Sequence, residues 1–200
     1  MNAAQDLAAI GTGFSDAIFD SQRVFRAALD VLSRPGKIGE IALSIDLPRG
    51  LHLAAGATLL ALLDQDTRLW LSPSVPPDVA RYLRFHTSCQ QAVDLEQADF
   101  ALIAHPGELP PLAAFVQGTA DFPDRSTTIV LQVSSFMEGE RYVLSGPGIA
   151  GRSDITVPGL DADFVAGWNA RRRSLPCGVD LFLVAGNQLV GLPRTTRIEA

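Results

Sequence analysis

The sequence predicts an α/β protein with a mixed β-sheet and flanking helices. Two observations carry this expectation. In the first half, stretches with helical periodicity alternate with short apolar strands; in the second half, strands follow one another around turn residues. The length of 200 residues and a hydrophobic share of 47% are enough for one sizeable core. Residues 1–15 are expected to form an N-terminal extension, and residues 16–200 a single α/β domain.

Ser15 is placed to cap a helix over 16–33, with Ile18, Phe25, Leu29 and Leu32 on its apolar face and Arg34-Pro-Gly36 as its stop. A short strand is expected over 37–43. The apolar run 53–63 reads as a buried helix ending at Asp64-Gln-Asp66. A strand over 68–72 follows, and Ser74 to Pro77 opens a helix reaching about Phe85. Residues 100–104 read as a buried strand, and Pro110-Pro111 starts a short helix that Gly118 ends.

Further on, 127–134 and 141–145 are expected to pair as an antiparallel hairpin around Glu138-Gly139. A helix over 161–173 places Phe164, Val165 and Trp168 on one side. Strands over 179–184 and 188–192 flank Gly186-Asn187, a second hairpin signal.

Gly146-Pro-Gly-Ile-Ala-Gly151 has the spacing of a dinucleotide-binding loop. That mechanism requires a helix opening on the glycines, so that backbone N–H groups face the pyrophosphate. The following Arg-Ser-Asp-Ile-Thr-Val-Pro-Gly stretch is β-branched and ends in Pro158, and Pro147 removes an N–H. The expected structure is therefore a turn that ends a strand.

The formal charge of −6 gives no general attraction to nucleic acid or anionic lipid, so neither is an expected partner. No apolar run reaches the roughly 18 residues of a membrane span. The first residues also lack the basic start of a secretory signal, so a cytoplasmic location is expected. Of 16 basic residues, Lys37 is the only lysine, and any lysine-dependent chemistry must use it. Cys89 and Cys177 are too few for a disulfide framework. No metal site is expected: His86 and Cys89 could share an ion, but His52, His105 and Cys177 are scattered. Phosphate-loop, H-E-x-x-H, C-x-x-C and G-x-S-x-G patterns are absent, and no catalytic residue is singled out.

Two arginine-containing stretches suit oxyanion binding, because a guanidinium forks onto such groups. They are Arg84-Phe-His-Thr87 and Pro193-Arg-Thr-Thr-Arg197, which make Arg84, His86 and Arg194 the candidate ligand-binding residues. The plain alternative is local packing for His86 and surface ion pairs for the arginines. Arg171-Arg-Arg173 suits a helix C-terminus.

Several segments, taken in order, resemble one family. They are Phe25-Arg26 leading to Ser33-Arg-Pro-Gly36, Leu59-Leu-Ala-Leu-Leu-Asp-Gln-Asp-Thr67 before Trp70-Leu71, and Leu83-Arg-Phe-His-Thr87. Ser145-Gly-Pro-Gly-Ile149, Pro176-Cys-Gly-Val-Asp-Leu181 and Pro193-Arg-Thr-Thr196 complete the series. Together they resemble PhnH, a subunit of the bacterial carbon–phosphorus lyase core complex, from about Asp20 onward. Met1 to about Gly13 and the Arg171–Arg173 run lie outside the resemblance.

The resemblance implies a subunit that works with subunits G, I and L. In that step ATP and methylphosphonate give α-D-ribose 1-methylphosphonate 5-triphosphate and adenine. It also implies assembly with subunits G, I and J, homodimers in isolation, and no cofactor of its own. Subunit J, an iron–sulfur radical enzyme, would perform the later bond cleavage. The implied fold is like that of the pyridoxal-phosphate-dependent transferases without the Schiff-base lysine. Two other classes stay open: a stand-alone nucleotide-binding regulatory module, and a pyridoxal-phosphate enzyme using Lys37.

Overall fold

The computed structural model describes residues 10–199. The chain runs through α1 (Ala17–Ser33), β1 (Ile38–Glu40), α2 (Leu53–Leu62), β2 (Arg68–Leu71), α3 (Pro77–Thr87), β3 (Gln90–Gln91) and β4 (Phe100–Ile103). It continues through β5 (Thr128–Gln132), β6 (Glu140–Ser145), β7 (Ser153–Val157), α4 (Ala162–Ala170), β8 (Asp180–Ala185), β9 (Gln188–Leu192) and β10 (Arg197–Glu199). Seven strands form a mixed sheet in the order β1-β9-β8-β5-β4-β2-β3, and a three-stranded antiparallel sheet has the order β10-β6-β7. In the large sheet only β9 runs against the others. The predicted α/β class with a mixed sheet and flanking helices is what the molecule shows.

The central strands β4, β5 and β8 are apolar along almost their whole length because both faces are covered. On one side lie α1, α2 and α3, sharing a core with Leu59, Leu83, Leu102, Val130, Phe182 and Val184. On the other lie the small sheet and α4, packed around Ile103, Leu131, Leu144, Trp168, Leu183 and Leu192. The large sheet is the middle of three layers.

Helix α1 is capped by Asp16, whose carboxylate accepts from the Ile18 and Phe19 N–H groups at 3.1 and 3.0 Å. Ser15, the predicted cap, instead donates its hydroxyl to Asp20 at 2.9 Å. A second correction is larger. The helix buries Val24, Ala28 and Val31, whereas Ile18, Phe25 and Leu29 of the predicted inner face are exposed. The reason is close approach: a Cβ on Gly191 of β9 would lie 2.7 Å from Leu32 N and 2.8 Å from Val31 C. The stripe that includes Ala28 is thereby set against the sheet.

Helix α2 is apolar all round and sits in the middle of the helical layer, with Ala54, Ala55, Ala57 and Leu59 fully buried. Pro77 starts α3 in the preset helical conformation, and Ser88 ends it with a left-handed φ of 60°.

The hairpin expected between β5 and β6 does not exist. β5 lies between β4 and β8, parallel to both, while β6 leaves for the small sheet and pairs with β7 and β10. The connecting residues cross between the layers, with Val133 N still bonded to Val184 O at 2.8 Å and Phe136 buried. The second expected hairpin, β8 to β9, is present, with Ala185 opposite Gln188. Gly146 to Gly151 is the turn between β6 and β7, a strand ending without a helix. The helix predicted over 161–173 is α4 followed by a 3-10 turn over Arg171–Ser174. Likewise, the helix predicted after Pro110 is a 3-10 turn, Leu112–Ala114.

Candidate functional site

In open sheets of parallel strands, ligands favour the crevice where successive strands leave in opposite directions, outside the carboxyl ends. Here that place lies between β2 and β4, because β3 lies on one side of β2 and β4 on the other. The protein fills this crevice with its own side chains. Ser72, just past β2, donates its hydroxyl to Glu108 at 2.5 Å, and the hydroxyl accepts from Ala104 N at 2.9 Å. Ser74 donates to the same carboxylate through its hydroxyl at 2.6 Å and through its N–H at 3.1 Å. The Ser72 and Ser74 hydroxyls hold the Glu108 carboxyl below the usual glutamate range. His105 lies 3.7 Å from Glu108, not on the serine, so this is not a nucleophile with its base. Its chemistry is to tie two turns together.

The three predicted ligand residues do not meet. Arg84, at the end of α3, is exposed and lines a cavity of about 210 Å³ together with Leu69, Leu71 and Cys89. Burial pushes the Cys89 thiol up, so it stays protonated and unreactive. His86 faces the chain's first described residues: its Nε2 lies 3.3 Å from Gly11 O, and its ring packs 4.5 Å from that of Tyr82. The Tyr82 hydroxyl donates to Thr12 O at 3.1 Å, so α3 holds the segment before α1 by two side chains.

Arg194 is engaged on every side. Its Nε and Nη2 bind the two Asp180 oxygens at 3.1 and 2.5 Å, Nη2 also reaches Ser126 Oγ at 2.7 Å, and Nη1 donates to the Pro123 and Pro176 carbonyls at 2.6 and 3.3 Å. A guanidinium has five N–H donors, and here each has an acceptor within the chain. Lys37 is at the surface, ion-paired with Asp30 at 2.6 Å. Among the described residues, no group of three or more His, Cys, Asp or Glu side chains could hold a metal ion.

Three residues of α1 that sequence periodicity assigned to the interior lie instead on the surface. Ile18 in the first turn of α1 is 77% exposed, and Phe25 and Leu29 further along the same face are 50% and 56% exposed; Phe19, on a neighbouring face, is 61% exposed. Such a stripe on one helix is uncommon on a protein that stands alone and suits contact with another chain. The signal that finds it is the second apolar stripe of α1, beside the one formed by Val24, Ala28 and Val31.

A protein with its sheet crevice closed by its own side chains and an apolar stripe on an outer helix has the features of an assembly partner. Comparison with known proteins is specific. Residues 12–199 match the family model of the bacterial phosphonate metabolism protein PhnH. The chain is 37% identical over 187 residues to the α-D-ribose 1-methylphosphonate 5-triphosphate synthase subunit PhnH of Rhizobium meliloti (strain 1021), covering 93% of this chain and 94% of that protein. It is 31% identical over 183 residues to HtxG of Stutzerimonas stutzeri, named as a candidate C–P lyase subunit, covering 89% of this chain and 85% of that protein. The chain belongs to the PhnH family.

Proposed function

We propose that this chain is a subunit of the assembly that makes α-D-ribose 1-methylphosphonate 5-triphosphate in carbon–phosphorus lyase-dependent phosphonate breakdown, acting in the cytoplasm. Its role is to dock and position partner subunits, with G, I and J as direct neighbours and L as a functional partner. The exposed stripe of Ile18, Phe25 and Leu29 on α1 carries this reading. Apolar area of this kind is stabilised by being covered, at roughly 25 cal/mol per Å². In isolation the same stripe is available to a second copy, which supports a homodimer as the state of the isolated chain. The mixed sheet with its one reversed strand supports a layout like that of the pyridoxal-phosphate-dependent transferases. Arg84 is the predicted ligand residue whose guanidinium is exposed at a cavity, and contact with a phosphorylated ligand is assigned to it.

The test is co-expression of the tagged chain with subunits G, I and J of the same operon, followed by native mass measurement. A stoichiometric complex is expected with the native chain. Phe25→Asp combined with Leu29→Asp is expected to abolish it while leaving the circular dichroism spectrum unchanged. Assembly of the other subunits without the native chain would overturn the reading.

A further inference from the structure

Helix α4 forms one wall of a groove of about 430 Å³, and the segment 106–113 forms the other. Leu109, Leu112 and Phe164 give the groove an apolar lining. Arg171 lies at one end, but its Nε and Nη1 are buried without a hydrogen-bond partner among the described residues, so these donors face protein and not the groove. Its guanidinium carbon stacks 5.0 Å from the centre of the Trp168 ring. Asp161 and Asp163 line the groove as well. Asp161 caps α4 by accepting from Phe164 N at 2.7 Å, while Asp163 is exposed. The charge that the groove offers a visitor is negative.

Gly167 is the residue of α4 that its own chain does not explain. Glycine is among the poorest helix formers, yet it stands inside this nine-residue helix. Other glycines are required by contact: a Cβ on Gly56 of α2 would come 2.8 Å from Leu47, and one on Gly191 of β9 would come 2.7 Å from Leu32. At Gly167 a Cβ would meet nothing within 4 Å, and the backbone there is helical. Asp163, Gly167 and Ala170 share one face by their spacing, and all three line the groove. The bare stretch at Gly167 lets a second helix approach more closely than a larger side chain would. The opposite wall selects a helix too. Pro106, Pro110 and Pro111 have no N–H, and the backbone groups inside α4 are bonded within it. An extended segment would find no backbone partners between these walls, whereas a helix brings its own.

We propose that this groove docks a helix of a neighbouring subunit, with an apolar anchor against Leu109, Leu112 and Phe164 and a lysine or arginine on Asp163. The inference rests on the subunit reading above and adds a second interface to it. The exposed stripe of α1 belongs to the helical side of the large sheet, and the groove belongs to the other side. The chain is thereby a bridge between two neighbours.

The experiment is photo-cross-linking in the full complex. The tagged chain with Ala113→p-benzoylphenylalanine is co-expressed with subunits G, I and J, and the cross-linked peptide is sequenced by mass spectrometry. Ala113 lines the groove and is exposed. The expected product joins the chain to another subunit, through a peptide with apolar residues at helical spacing beside a lysine or arginine. Asp163→Lys is expected to cut the cross-link yield at least about tenfold, and changing that partner residue to glutamate is expected to restore it. Gly167→Leu should release the same neighbour, seen as its loss in native mass. Gly167→Ala should raise the melting temperature of the isolated chain by about 2–4 °C, because the glycine serves the neighbour and not the fold. A cross-link to a second copy of this chain, a peptide without a basic residue, no effect of Asp163→Lys, or a lower melting temperature in Gly167→Ala would each overturn the proposal. A native chain that fails to assemble overturns the subunit reading and this inference together. An assembled chain that gives no cross-link from Ala113 overturns this inference alone.

Discussion

Arg194 and Asp180 are locked to each other by three contacts: the Arg194 side chain takes both carboxylate oxygens, and its backbone N–H donates to Oδ1 at 2.8 Å. The pair joins the start of β8 to the segment after β9, and through Pro123, Pro176 and Ser126 it gathers two further loops. Arg194→Ala would leave a largely buried carboxylate without its partner. The expected cost is about 3 kcal/mol, read as a fall in the urea midpoint. Arg194→Lys should recover less than half of it, because an ammonium cannot reach four acceptor groups at once. A loss of less than about 1 kcal/mol would show that the loops hold without the pair.

The Gly146–Gly151 turn makes a separate prediction. Gly148 has φ +83°, and a Cβ there would collide with Ser33 O at the end of α1. Gly148→Ala therefore combines a left-handed backbone penalty of about 1–3 kcal/mol with a steric clash. Gly151, with φ +84° but open space around it, supplies the control. Gly151→Ala is expected to cost visibly less in the same thermal melt.

Glu108 predicts an acid limb in the stability curve. Its carboxyl is held below the ordinary value of 4.5, chiefly by the Ser72 hydroxyl and then by Ser74. A group depressed in the folded state adds stability that is fully present above its unfolded value and is lost as pH falls through the folded one. Stability should therefore drop below about pH 4.5, and Glu108→Gln should flatten that part of the curve. An unchanged slope in the variant would place the acid sensitivity elsewhere, with Asp20 and Asp30 as two further depressed carboxyls.

Tyr82→Phe tests the hold on the segment before α1. It removes the bond to Thr12 O and nothing else of the ring's packing, at a global cost of about 1 kcal/mol. Faster amide exchange is expected for residues near Gly11 to Phe14, with β4 and β5 unaffected. Equal acceleration across the sheet would mean that this segment opens only with the whole molecule.

Much of this arrangement is legible in the chain, and its limits are physical. The runs that become α2, β4 and β8 are apolar enough to be read directly, because both sides of each are covered. Helix α1 is harder: Phe25, Leu29 and Leu32 make as good a stripe as Val24, Ala28 and Val31. Periodicity reports that a stripe exists, not which of two neighbouring stripes faces inward. Gly191 decides it, from more than 150 residues away in sequence. The partner of β5 is equally hidden, since turn residues at Glu138-Gly139 look the same whether the chain doubles back or changes layer. Asp180 and Arg194 are 14 positions apart, and the sequence held no sign that one would occupy the other. Arg171 was legible as a positive charge near a helix end, while its missing partner is visible only in three dimensions.

The small sheet takes β6 and β7 from the middle of the chain and β10 from beyond β9. Asn169 of α4 is bonded to both the N–H and the carbonyl of Ile198, and Trp168 donates to Thr196 O at 2.8 Å. The layer around α4 therefore waits for residues synthesised after every strand of the large sheet. The core on the helical side contains no residue of β10, whereas the opposite face of β5 and β8 is fully covered only with β10 in place.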